Sequence, residues 1–241
     1  MADFSTIEGE ITPHVPQADV ILIGDAIRRA VQTFCEKTLV LEAVTDPRIN
    51  VIAGEPIYTL PAVVNRTIVR AKRGEVWYYN GPDDTKPRQL DPTNPNDLDN
   101  RHTPYHGRFR GPLNYPFFKP DENWRTSIGT PSLFYQPMPH QVRIVPIPRL
   151  DVEWSLKVTY HLKPSNTATE VDDLVLENWR AIIVSGALAD LLQVKHKPWT
   201  DVQLGSAYGK DFDSKTNEIV KEREKSFESQ DSTVGRVRAY T

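Results

Sequence analysis

The chain has 241 residues with 39% hydrophobic content, enough to bury a real core in one or two domains. Its formal charge of -3 is close to neutral for that size and carries no global signature of a nucleic-acid or membrane binder. One cysteine, Cys35, excludes an internal disulfide framework and fits a reducing compartment.

No basic-then-apolar leader opens the sequence, and no apolar run approaches the ~18 residues of a membrane span. A soluble protein made in the cytoplasm, with no membrane partner, is expected. Residues 1–17, with Pro13 and Pro16, read as an arm before a first helix over 18–38. Ile23, Ile27, Val31 and Phe34 form the apolar face of that helix, while Arg28, Arg29 and Glu36 face away. Cys35, beside Phe34, reads as core packing rather than as a reactive thiol.

After Thr38 the period changes, and a β-rich region is expected over 39–169. Strand-like stretches occur at "INVIA", "PIYTLP", "TIVRA" and "EVWYY", separated by the turn formers Gly54-Glu55-Pro56 and Arg73-Gly74. Residues 80–130 are dense in Pro, Asn, Asp and Gly with scattered aromatics. They are too long for an ordinary connection and too aromatic for a simple linker, so a loop that is functional or ordered by a partner is expected. Beyond it, Val152, Trp154, Leu156, Val158 and Tyr160 alternate with Glu153, Ser155, Lys157, Thr159 and His161, which predicts a strand buried on one face and wet on the other. "QVRIV" and the turn from Pro148 to Asp151 complete an expected hairpin with that strand.

The helical period returns over 170–229. Trp179, Ile183, Ala187, Leu191 and Val194 form a stripe that Ile182, Val184 and Leu188 widen, so this helix should be buried on most sides. Lys195, His196 and Lys197 suit its last turn, and Pro198 ends it. Thr200 and Gln203 form a capping box for the next helix, with Trp199 and Leu204 in the staple positions. That helix runs through Leu204, Tyr208, Phe212 and Ile219, making an αα-hairpin with its predecessor. Gly205 and Gly209 lie one turn apart and mark a close backbone approach, either within the bundle or to another subunit. The last segment, 230–241, is polar and extended, with Val234, Val237 and Tyr240 alternating with Arg236 and Arg238.

The fold class that results is α+β: an antiparallel helical bundle of one N-terminal and two C-terminal helices, with an inserted antiparallel β-sandwich or barrel-like part. Chemistry finds little support. His102 and His106 have a His-x3-His spacing, but Pro104 interrupts it and no further ligand completes a zinc site. Asp91, Asp97 and Asp99 lack the glycine and terminal glutamate of a calcium loop and read as solvated turn acids. Asp83-Asp84 and Asp172-Asp173 suit a turn and a helix start. No phosphate-binding glycine loop or serine elbow occurs, so neither an enzyme nor a cofactor is expected. "RHTPYHGRFRG" sets Arg101, Arg108 and Arg110 among Tyr105 and Phe109, a nucleic-acid-binding alternative that the acidic neighbours and overall charge disfavour.

"FCEKT", "INVIAGEPIYTLP", "WRTSIGTPSLFY", "VRIVPIPRLDVEWSLKVTYHLKPS", "ENWRAIIVSGALADLLQ" and "KPWTD", in that order over roughly 18–228, resemble the head-to-tail adaptors of tailed bacteriophages. The likeness is to the tail tubular protein A, or gatekeeper, type of short-tailed phages. The loop between Leu90-Asp91 and Trp124 and the arm before residue 18 depart from that pattern. The resemblance implies a virion protein that forms a dodecameric ring between the portal protein and a tail nozzle or tail tube protein and lets double-stranded DNA pass. It also implies portal binding by the C-terminal segment, here Val234, Arg236, Val237, Arg238 and Tyr240. A closed ring needs a heterologous interface. Its candidates are the helix face bearing Gly205 and Gly209 and the loop residues Tyr105, Arg108, Phe109 and Arg110.

Overall fold

The computed structural model describes residues 1–102 and 123–231. Strand β1 (Ala2–Asp3) leads into helix α1 (Ser5–Ile11), a 3-10 turn (Thr12–His14) and the long helix α2 (Val20–Thr38). Strands β2 (Leu41–Val44), β3 (Ile49–Val51), β4 (Ile57–Thr59), β5 (Arg66–Tyr78), β6 (Arg88–Gln89) and β7 (Asp91–Pro92) precede a short helix, α3 (Pro95–His102). Strands β8 (Ile128–Gly129), β9 (Leu133–Met138), β10 (Gln141–Val145), β11 (Ile147–Pro148), β12 (Val152–Pro164) and β13 (Glu170–Val171) then lead to α4 (Asp173–Leu192) and α5 (Val202–Asp231). The class is α+β with the sheets inserted between helices, as the sequence predicts. The chain forms two compact units: Met1–Leu41 with Val64–Thr67 and the chain from Leu162 onward, and Glu42–Val63 with Ile68–His161.

The first unit is helical. Asp19 caps α2 by accepting from the Ile21 amide at 2.9 Å, so the helix starts two residues later than its apolar pattern suggests. It ends where Leu39 enters the left-handed region and its amide bonds the Cys35 carbonyl at 2.9 Å. Ile23, Ile27, Val31 and Phe34 are all buried, each stabilising the unit by about 1.5–3 kcal/mol relative to exposure. Residues 1–17, read as an arm, carry α1 and bury Phe4, Ile7, Ile11 and Val15, while β1 pairs antiparallel with β13. The arm reading missed this because seven helical residues give too short a pattern to register. Arg180 of α4 ties α1 down through Glu10 and the Thr6 carbonyl.

Helix α4 is capped by Asp172, whose carboxylate accepts from the Leu174 amide, and it kinks at Trp179, where φ is -127° and ψ 20°. It stops at Leu192, before the basic cluster expected in its last turn. The Asp201 amide bonds the Leu192 carbonyl and the Val194 amide the Leu191 carbonyl, so Lys195, His196 and Lys197 lie in the turn. The capping box is also displaced. Asp201 caps α5 by accepting from the Leu204 amide at 2.9 Å, while the Thr200 hydroxyl donates back to the Val194 carbonyl. Leu204 is exposed rather than stapled.

The second unit holds a four-stranded sheet in the order β4-β10-β9-β7 and a five-stranded sheet containing β2-β12-β5-β6 with β3 also on β12. Three expectations change here. The Arg73-Gly74 turn does not separate two strands: β5 runs unbroken through it, with Gly74 at φ +78° and its carbonyl accepting from Gln89. The hairpin of β10 with β12 does not form, because β10 pairs with β9 and β4, and β11 pairs in parallel with β8. The polar face of β12 is not wet, since Ser155, Thr159 and His161 are buried along with Leu156, Val158 and Tyr160. Within 80–130, the described residues carry β6, β7, α3, β8 and an Asp84 turn rather than loop alone. The Asn80 and Lys86 amides hydrogen-bond Asp84 and hold its carboxyl below the usual range.

Candidate assembly interface

The αα-hairpin is held by glycines on both helices. A Cβ at Gly205 would meet Leu192 Cβ and Gln193 Cγ at 3.1 Å, and one at Gly209 would lie 3.7 Å from Ala189 Cβ. Gly205 therefore marks a close approach to the end of α4 in the same chain, while Gly209 makes only an ordinary contact with that helix. The tightest contact is at Gly186 of α4, where a Cβ would sit 2.8 Å from the Phe212 ring and 3.1 Å from Ala30 Cβ. Thus α2, α4 and α5 converge where only a hydrogen fits. Asp211 of α5 accepts from Ser185 of α4 at 3.0 Å and from Lys215 at 2.8 Å, and these bonds, the lysine's first, hold its carboxyl below the ordinary value. Arg29–Asp190 and Lys37–Asp213 join α2 to the hairpin on its exposed side.

In the second unit, α3 and the residues around Trp124 close the base of the long insertion. Asn94 caps α3 by accepting from the Asp97 amide at 2.8 Å, and its side-chain amide donates to the Asp97 carboxylate. The Asp99 carboxylate takes two bonds from Arg125, at 2.6 and 3.0 Å, and one from the Trp124 indole at 2.7 Å. Asp97 and Asp99 are exposed, as read from the sequence, and each also holds structure, Asp97 at the start of α3 and Asp99 in the clasp with Arg125 and Trp124. Leu98, Trp124, Leu133 and Val145 pack beneath, with Tyr135 at the edge. Arg125 lies 4.3 Å over the Trp124 ring, and Arg143 lies 5.2 Å from the same ring.

A charged cluster bridges β2, β5 and β12. The Lys72 ammonium bonds Glu42 at 2.8 Å and Glu75 at 2.6 Å, and His161 Nδ1 lies 3.7 Å from Glu42. Burial would raise the Glu75 carboxyl, but the bonds from Lys72 and Thr159 outweigh it and hold the carboxyl below the ordinary value. These groups are spent on one another in tying strands together. Cys35 is buried, and its thiol is pushed up to about 12 by loss of solvent, as suits a packing residue.

Of the residues singled out from sequence, Tyr105, Arg108, Phe109 and Arg110 lie outside the described residues, as do His106, Val234, Arg236, Val237, Arg238 and Tyr240. Gly205 and Gly209 are brought together with α4. Among the described residues no group of three or more His, Cys, Asp or Glu is placed to hold a metal, and no helix is long and apolar enough to cross a membrane. Sequence reading missed the Asp99–Trp124–Arg125 clasp, because its halves are 25 residues apart across the insertion and neither half has a local pattern. It also missed that Trp154, placed on the buried face of its strand, is 43% exposed.

A search of curated proteins finds no match to the chain. The family profile described as SU10 adaptor protein matches the chain over residues 3–238, nearly its whole length. The chain belongs to the SU10 adaptor protein family, a family of phage head-to-tail adaptors.

Proposed function

We propose that the protein is a head-to-tail adaptor of the tail tubular protein A or gatekeeper type: copies close into a dodecameric ring between the portal and the tail nozzle or tail tube and extend the DNA channel. The observation that carries this reading is the family match over residues 3–238. The three-helix unit supports it, since helices locked through Gly186 and Gly205 form a stiff block that can repeat around a ring without flexing. The C-terminal residues Val234, Arg236, Val237, Arg238 and Tyr240 dock on the portal as an extended segment, adding main-chain and basic contacts. Tyr105, Arg108, Phe109 and Arg110 of the insertion make the neighbour or tail contact. The virion is the site of action, and DNA passes without being held, in keeping with the near-neutral charge of -3.

The test is the mass and negative-stain image of the protein alone and mixed with the portal ring of the same phage. A monomer or small oligomer that becomes a cyclic ring on the portal is expected. A stable monomer in both samples refutes the adaptor ring. Deleting 230–241 should abolish portal attachment and leave the chain folded; unchanged attachment would remove the tail from the interface.

A further inference from the structure

We draw no further inference here: the strongest candidate, the face of the β4-β10-β9-β7 sheet on which Arg143 lies between Tyr135 and Ile57 and over the Trp124 ring, carries nothing because no feature of the structure shows what covers it.

Discussion

Three glycines in one hairpin allow the packing of the helical unit to be tested by a single kind of substitution. Glycine to alanine inside a helix gains about 1 kcal/mol of propensity wherever the new methyl has room. At Gly209 it has room: the nearest atom, Ala189 Cβ, is at 3.7 Å, an ordinary contact. Gly209→Ala should therefore stabilise the chain by up to about 1 kcal/mol, a rise of about 2–4 °C at this length. At Gly205 the methyl would lie 3.1 Å from Leu192 Cβ and from Gln193 Cγ, so propensity and crowding should roughly cancel. At Gly186 it would lie 2.8 and 2.9 Å from two carbons of the Phe212 ring and 3.1 Å from Ala30 Cβ. Phe212 is only 7% exposed and cannot swing away without opening the contact of all three helices. Overpacking of that kind costs about 1–3 kcal/mol, more than the propensity gain, so Gly186→Ala should melt lower than wild type. Thermal and urea unfolding followed by far-ultraviolet circular dichroism would rank the set as Gly209→Ala, then wild type with Gly205→Ala, then Gly186→Ala. A stabilised Gly186→Ala, or a destabilised Gly209→Ala, would refute the idea that these glycines report distance between helices.

Asp99→Ala should cost about 1–3 kcal/mol by leaving the Trp124 indole N–H without its acceptor, whereas Asp99→Asn keeps an acceptor and should cost much less; equal midpoints in urea would contradict the clasp. Lys72→Met leaves Glu42 and Glu75 facing each other and, discounting for partial exposure, should cost about 1–3 kcal/mol near neutral pH. Because the Glu75 carboxyl is depressed in the folded chain, its contribution is present above about pH 4.3, its unfolded value, and is lost as pH falls through the folded one. The gap between wild type and Lys72→Met should accordingly narrow in acid, and a constant gap from pH 7 to 3 would show that Glu75 is not linked to Lys72. Cys35, with its thiol pushed up to about 12, should resist a thiol-specific disulfide reagent at pH 8 and react only on unfolding; rapid labelling of the native chain would show the thiol to be open.

The helices were legible because their information is local. Asp172 sits where a helix start was read, and the Ile23-to-Phe34 stripe names the buried face of α2, although the cap at Asp19 was passed over. Termini were legible only in part, since several residues compete for one role. Thr200 and Asp201 can both cap α5, and the choice follows from the Thr200 hydroxyl being drawn back to Val194. Strand partners were not legible. Nothing in "QVRIV" states that it pairs with Ile57–Thr59 instead of the strand that follows it, because register depends on which surfaces meet. For the same reason the bulge in β12 emerged as a failure of the pattern: Trp154 falls on the predicted inner face and is 43% exposed.

The polar face of β12 shows why residue type alone misled. Ser155, Lys157, Thr159 and His161 in alternation describe a solvated face and a networked face equally well, because the same side chains serve both. What separates the two is whether each polar atom finds a partner, and that depends on residues scores of positions away. The Ser155 hydroxyl donates to the Tyr79 carbonyl, Thr159 bonds Glu75, and His161 approaches Glu42. A buried hydroxyl or carboxylate left without such a partner would cost about 1–3 kcal/mol, so the burial of this face requires the network to form together with the sheet. The network therefore also selects register. A one-residue slip of β12 against β5 would turn Thr159 away from Glu75 and His161 away from Glu42, leaving buried groups unpaired and setting Leu156, Val158 and Tyr160 on the face that holds the charged cluster.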